Sequence, residues 1–207
     1  LVEQATQANV PVLGVNVGKL GFLATYTPEQ IQENFQEVLQ GTYVVEKRTL
    51  LECQGANGQK VQALNDVVLK SGLSPRLQDM SITSQKGLVA RVVGDGVIFC
   101  TPTGSTAYNL SAGGPIIQPS APVFCMTPIC PHTLSSRSSV LQENEVLQIQ
   151  TGHSQPEVHL FVDGRLLEGF TFPLTLKISD TAFQLICPRS HYYFQALKAK
   201  IGWMAPH

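Results

Sequence analysis

The chain has 207 residues, 43% of them hydrophobic and 14% charged, with a formal net charge of −1. That length and apolar content supply a sizeable core for one large domain or two small ones. The near-neutral balance excludes the basic field of a nucleic-acid binder and the polybasic face of a membrane-surface protein, and no apolar run is long enough for a membrane helix.

The charged fraction lies well under the usual value of about 25%. It favours a surface partly covered by other subunits, although Ser, Thr, Gln and Asn could equally keep a monomer soluble. Five cysteines (Cys53, Cys100, Cys125, Cys130 and Cys187) are scattered, odd in number and without a Cys-x-x-Cys pair, which is the usage of reduced thiols in a cytoplasmic protein. Cys125, Cys130 and His132 lie close in sequence, but their spacing fits no common zinc site, and no metal site is assigned.

In chain order, Leu1 to Ala8 reads as the end of a helix already under way, and because Leu1 is not methionine an upstream portion is expected. Val10 to Val15 is a short apolar strand, followed by a loop punctuated by Gly14, Gly18 and Gly21. A helix is then well marked: Thr27 as N-cap, Pro28 at the first position and Gln30 completing a capping box. Ile31, Phe35, Val38 and Leu39 fall on one face, and Gly41 ends it. Strand, glycine loop and helix together predict the last unit of an α/β domain.

From Thr42 the texture is β. Val44 to Gln54, Lys60 to Leu69, Met80 to Ser84, Leu88 to Val93 and Val97 to Cys100 are β-type runs separated by turn chemistry such as Ala56-Asn57-Gly58. Val93-Gly94-Asp95-Gly96-Val97 reads as a hairpin, since Asp-Gly is a favoured turn pair. A second batch follows: Val123 to Thr127, Val146 to Thr151, Val158 to Val162, Leu174 to Ser179 and Phe183 to Ile186. Short strands at regular spacing predict a β-sandwich or two packed sheets. In the tail, Phe194, Leu197 and Ile201 recur at helical spacing before Gly202-Trp203, which predicts a closing helix. The fold class is therefore α/β plus all-β: the end of an α/β domain over 1–42, a β-rich, sandwich-like domain over 43–189, and a C-terminal helix over 190–207.

The most informative stretch runs from Gly94 to Pro115. The strand Val97 to Cys100 empties into Thr101-Pro102-Thr103-Gly104-Ser105-Thr106, and Ala107 to Ala112 forms a helical turn before Gly113-Gly114-Pro115 stops it. Hydroxyls and free N–H groups at a helix start suit a polar, often phosphorylated or ribosylated ligand. No lysine follows Gly104, so this is not a Walker A loop. Thr103-Gly104-Ser105-Thr106-Ala107 lacks the second glycine of a nucleophile elbow. By spacing alone, a plain strand-to-helix connection and a binding loop stand level. Asn65-Asp66 is also open to two readings: a carboxylate capping a strand end, or an amide beside a carboxylate gripping a ribose diol.

The run Asp95-Gly96 … Thr101-Pro102-Thr103-Gly104-Ser105-Thr106-Ala107-Tyr108 … Ser111-Ala112-Gly113-Gly114-Pro115 resembles the signature of the NAD kinase family, enzymes that phosphorylate NAD to NADP. Family-like pieces flank it in order: Gly14-Val-Asn-Val-Gly-Lys-Leu-Gly-Phe-Leu23, Ala63-Leu-Asn-Asp-Val-Val68, Cys130-Pro-His-Thr-Leu-Ser-Ser-Arg137 and the tail from Tyr193 to Trp203. The resemblance spans nearly the whole chain. It implies that Asn65 and Asp66 contact the nucleotide and that Asp95 lies at the dinucleotide site. It further implies that Thr103 and the run Thr106, Ala107, Tyr108, Asn109, Leu110 and Ser111 form the nucleoside pocket, with Tyr108 able to stack on a ring. Arg76 and Arg165 match further contact positions at which the family often carries other residues.

The same resemblance implies ATP or another phosphoryl donor, with Mg²⁺ neutralising the donor triphosphate, and a general base that takes the proton from the adenosine 2′-hydroxyl. In the family that base is an aspartate in a Gly-Gly-Asp-Gly loop upstream of the segment matching Leu1, so no catalytic residue is assigned within the 207 residues. Asp95 follows the Gly-x-Asn segment rather than preceding it, and is not taken as the base. A homodimer or homotetramer is implied as well. Two other readings stay open: a non-catalytic dinucleotide-binding module or regulatory subunit, and a relative of the lipid kinases. His132, beside Ser135 and Ser136, reads as a structural histidine, since nothing supplies the oxyanion hole and orienting acid of a serine hydrolase.

Overall fold

A computed structural model describes residues 1–18, 21–72, 77–152, 158–189 and 192–204. The chain divides into two compact units, Leu1–Arg48 with Ala182–His207, and Thr49–Thr181. Its elements begin with α1 (Val2–Gln7), β1 (Val12–Leu13), α2 (Pro28–Leu39), β2 (Val44–Gln54), β3 (Lys60–Ala63) and β4 (Asp66–Ser71). Next come β5 (Gln78–Ser84), β6 (Gly87–Gly94), β7 (Gly96–Cys100), a 3₁₀ turn (Thr103–Thr106), α3 (Tyr108–Ser111) and β8 (Val123–Ile129). The chain closes with β9 (Ser139–Gln142), β10 (Leu147–Thr151), β11 (Val158–Val162), β12 (Arg165–Leu167), β13 (Leu174–Cys187) and α4 (Tyr193–Ile201).

In the first unit the capping box forms as the sequence predicts. Gln30 N–H donates to Thr27 Oγ1 at 3.2 Å and Thr27 N–H to Gln30 Oε1 at 2.9 Å, with Pro28 in the first turn. Gly41 follows the helix at φ +69°, where a side chain would be strained. No residue of α2 is buried, and Phe35 and Leu39 on the apolar face stand exposed. The strand predicted over Val10 to Val15 shrinks to β1, which runs parallel to Leu185 and Ile186. Beyond it the chain bends: Gly14 C=O accepts from Tyr26 N–H, and a Cβ on Gly14 would lie 2.4 Å from Leu23 O. The tail helix α4 buries Leu197 and ends on Gly202 in the left-handed region.

The second unit is a two-sheet sandwich. One sheet has the order β3-β2-β13-β10-β5-β6 and the other β12-β11-β4-β7-β8-β9. Alternate residues face inward, so Leu51, Met80, Ile82, Leu147, Ile149 and Leu176 of the first sheet meet Val67, Leu69, Phe99, Phe124, Leu160 and Val162 of the second in one core. At about 25 cal/mol per Å² of apolar surface removed from water, such closely packed aliphatic and aromatic groups supply the main stabilisation of this unit. The second sheet is also covered on its outer face, where Val68, Ile98, Cys100, Cys125 and Ile117 cluster. All five residues of β7 are therefore buried.

Several local expectations change. Lys60 to Leu69, read as one run, is two strands in different sheets, β3 and β4, with the crossover at Leu64-Asn65. The predicted hairpin at Gly94-Asp95-Gly96 is likewise a corner between sheets, since β6 pairs with β5 and β7 with β4 and β8. Neither glycine there has positive φ. They are needed for close approach: a Cβ on Gly94 would lie 2.8 Å from Ile129 O, and one on Gly96 2.3 Å from Leu69 O. Leu174 to Ser179 and Phe183 to Ile186 join into the single strand β13, and β9 and β12 were not predicted.

Candidate functional site

The outer face of the second sheet carries a cavity of about 380 Å³ over β4. The alternation of β4 puts Asp66, Val68 and Lys70 on this face. Phe161 from β11 lies directly opposite Val68, and Tyr108 from α3 forms a wall.

The segment Leu64-Asn65-Asp66, where the chain changes sheets, is fixed through its backbone. The Asp163 carboxylate accepts three N–H groups: Leu64 at 2.9 Å, Asn65 at 2.7 Å and Asp66 at 3.1 Å. Asp163 can do so because Asp163-Gly164 is a two-residue hairpin turn joining β11 to β12, with φ of +48° and +76°, the geometry that Asp-Gly adopts readily. From the other side, Thr101 Oγ1 donates to Leu64 O at 2.6 Å and accepts from Gly104 N–H at 3.0 Å, while Thr101 N–H donates to Asn65 O at 2.9 Å. Gly104 is set so close that a Cβ would lie 1.9 Å from Asn65 O.

These bonds occupy main-chain atoms and leave the side chains of Asn65 and Asp66 to the cavity they line. Asp66 is 5% exposed. Burial, and then the charge of Asp163, push its carboxyl from the usual 3.8 to about 6. Across the sheet Asp66 faces Cys100, which faces Cys125. The hydrogen bond to Cys125 and then burial hold the Cys100 thiol far above the usual thiol range.

The other predicted residues divide. Ala107 and Tyr108 line the cavity, and Tyr108 remains 41% exposed, with its ring available. Thr103 is buried, and its Oγ1 has no hydrogen-bond partner among the described residues. Thr106 Oγ1 donates to Thr103 O at 3.4 Å. Asn109 is wholly buried and serves the loop itself: Nδ2 donates to Ser105 O and Pro115 O, and Oδ1 accepts from Thr127 Oγ1 at 2.6 Å. Leu110 and Ser111 complete α3 without lining the cavity. Asp95 sits at the corner between sheets beside the Cys130 thiol, which its carboxylate pushes up. Arg165 is exposed just after the hairpin turn. Arg76 lies outside the described residues.

Sequence reasoning missed Asp163, Val68, Lys70 and Phe161. The Asp163-Gly164 pair between two β-type runs was the available signal for the first, and period-two alternation from Asp66 for the next two. Ser105 Oγ is engaged by Pro102 O and Ile117 N–H, so it is no nucleophile. His132 is exposed, with its backbone N–H on Val93 O.

Known proteins share this sequence and this fold. Residues 64–186 match the family model of the ATP-NAD kinase C-terminal domain, and residues 1–43 that of the ATP-NAD kinase N-terminal domain. The NAD kinase of Chlorobium luteolum is 39% identical over 203 residues, which cover 95% of this chain and 71% of the relative. That of Syntrophotalea carbinolica is 36% identical, over 98% of this chain and 73% of the relative. Among solved structures, yeast NADH kinase complexed with NADH superposes with a TM-score of 0.88 at 31% identity, over 96% of this chain but only 60% of the yeast chain. An NAD kinase from Archaeoglobus fulgidus in complex with ATP shares the fold, with a TM-score of 0.79 at 23% identity, over 91% of this chain and 74% of that one.

Proposed function

Since the chain belongs to the ATP-NAD kinase family, we propose that it provides the acceptor site of an enzyme that phosphorylates the adenosine 2′-hydroxyl of NAD, with ATP or another phosphoryl donor, to give NADP. The observation that carries this reading is the cavity over β4, where Asn65 and Asp66 present an amide beside a buried carboxylate and Tyr108 stands as an aromatic wall. Among the described residues no group donates to the Asp66 carboxylate, and its pKa is pushed up to about 6. At neutral pH it is mostly ionised and accepts hydrogen bonds from ribose hydroxyls, while the Asn65 amide donates or accepts beside it.

Tyr108 stacks on the base, and Thr103 Oγ1 and Thr106 supply polar contacts to it. Ala107 lets the ring approach. Asn109, with Leu110 and Ser111, holds this wall in shape from behind, and Asp163 is the positioning residue for Asn65 and Asp66. Asp95 and Arg165 contact the remainder of the dinucleotide, and the same role is proposed for Arg76, which lies outside the described residues. The domain boundaries of this reading are those of the sequence: 1–42, 43–189 and 190–207.

Phosphoryl transfer further requires the donor, which enters as its magnesium complex, and a base at the 2′-hydroxyl. The 207 residues contain no Gly-Gly-Asp-Gly run, and Asp95, in a corner between two sheets, is not its equivalent. On this reading the chain as it stands binds the acceptor weakly at best and turns over negligibly. Low charge content, with exposed Leu134, Val140 and Leu166, supports association as a homodimer or homotetramer. Five free cysteines support a cytoplasmic setting, and among the described residues no helix is long and apolar enough to cross a membrane.

Calorimetric titration of the purified chain with NAD, beside Asp66→Ala, tests the reading. Loss of hydrogen bonds to a charged group predicts about 10- to 100-fold weaker binding by the variant. A folded wild type that takes up no NAD refutes the assignment, and so does a variant that binds as well as the wild type.

A further inference from the structure

Among the described residues lining the cavity Lys70 is the cation, beside the carboxylates of Asp66 and Asp163. It is half-buried, and among the described residues no carboxylate lies within ion-pair distance of it. Its Nζ lies 4.6 Å from the centroid of the Phe161 ring. Phe161 is paired with Val68, whereas Lys70 itself is opposite His159. The side chain thus leans back along the sheet by one outward-facing step and holds its charge over the Val68 row instead of extending into solvent. A cation–π contact holds it there without neutralising it.

The Val68 row is two residues from Asp66, about 7 Å along the strand. That is the order of separation between the hydroxyls of a nucleotide ribose and its own 5′-phosphate. A pyrophosphate entering beside two carboxylates needs a cation at this spacing.

We propose that Lys70 is a specificity-determining residue that binds the pyrophosphate of the dinucleotide, so that the cavity prefers a dinucleotide to a bare nucleoside. The proposal rests on the acceptor-site reading above. A ribose held by Asn65 and Asp66, with its base against Tyr108, sends its 5′-phosphate along the floor formed by Val68 and Phe161 to the ammonium. Methionine at position 70 keeps the apolar stem on Phe161 and removes the charge; arginine keeps the charge.

The test titrates the wild-type chain, Lys70→Met and Lys70→Arg with NAD and, separately, with adenosine, after thermal melts establish that all three are folded. Lys70→Met is expected to bind NAD about tenfold more weakly, the loss of one charge-assisted hydrogen bond, and adenosine within about twofold of the wild type. Lys70→Arg keeps the preference for NAD. Raising the salt concentration narrows that preference in the wild type and leaves Lys70→Met unchanged. Unaltered NAD affinity in Lys70→Met, with adenosine still bound, overturns the role of Lys70 and leaves the acceptor site standing. Equal loss of both ligands in Lys70→Met also overturns it, because the residue then only shapes the cavity. A wild type that binds neither ligand overturns this proposal together with the acceptor-site reading.

Discussion

Replacing Asp66 by asparagine should make the protein more stable while taking away its ligand. The carboxyl is 5% exposed, and its pKa is raised from 3.8 to about 6, first by burial and then by the charge of Asp163. A group whose pKa is higher in the folded state binds its proton more tightly there. Its stabilising contribution is full below pH 3.8 and is lost as the pH rises through about 6. At about 1.4 kcal/mol per pH unit, the ionised carboxylate costs the fold about 3 kcal/mol at neutral pH. Asparagine is nearly isosteric and cannot ionise. Urea denaturation should therefore give similar midpoints for wild type and Asp66→Asn at pH 4, and a variant more stable by about 2–3 kcal/mol at pH 7.5, with unchanged m. NAD affinity at pH 7.5 should move the other way. A stability difference that is flat across this range, or a wild type more stable than the variant at pH 7.5, would refute the account of Asp66 as a carboxylate kept at a cost for its ligand.

Asp163→Asn should destabilise by about 2–4 kcal/mol, because one amide oxygen can still face Asn65 and Asp66 but the amide nitrogen then opposes the buried Leu64 N–H. NMR titration of the same variant should find the Asp66 pKa lowered, since a neighbouring negative charge has gone; an unchanged urea midpoint would contradict the three-bond role. Gly104→Ala would place a Cβ 1.9 Å from Asn65 O. The loop must then part from the Leu64-Asp66 segment, at about 3 kcal/mol and with loss of NAD binding; a variant with wild-type melting would show that the contact is not rigid.

The parts of the fold legible in the sequence are those written in local chemistry. Thr27, Pro28 and Gln30 announce α2 by their own hydrogen bonds, and the apolar run Val97 to Cys100 is buried on both faces as its composition suggests. Long-range arrangements were less legible. Lys60 to Leu69 has the texture of one strand, and only the distant Asp163, which takes three N–H groups at Leu64 to Asp66, reveals that it divides between sheets. Gly94-Asp95-Gly96 has hairpin chemistry, but the glycines answer to crowding by Leu69 and Ile129 rather than to turn geometry. β9 and β12 are four and three residues long, too short for an alternation to register. At the site, Asn65, Asp66, Ala107 and Tyr108 do come together. The wholly buried place of Asn109 depends on Ser105, Pro115 and Thr127, none of which a local reading weighs against it.

The way Leu64-Asn65-Asp66 is held has a consequence for how such a site can change over evolutionary time. Its shape is set by the Asp163 carboxylate, by Thr101 and by the absence of a side chain at Gly104, all acting on main-chain atoms that every residue possesses. Among the described residues, the side chains at 65 and 66 make no hydrogen bond to that scaffold. Exchanging them would keep the hydrogen bonds of the frame, so in the proposed acceptor site the ligand groups recognised could be changed at two adjacent codons.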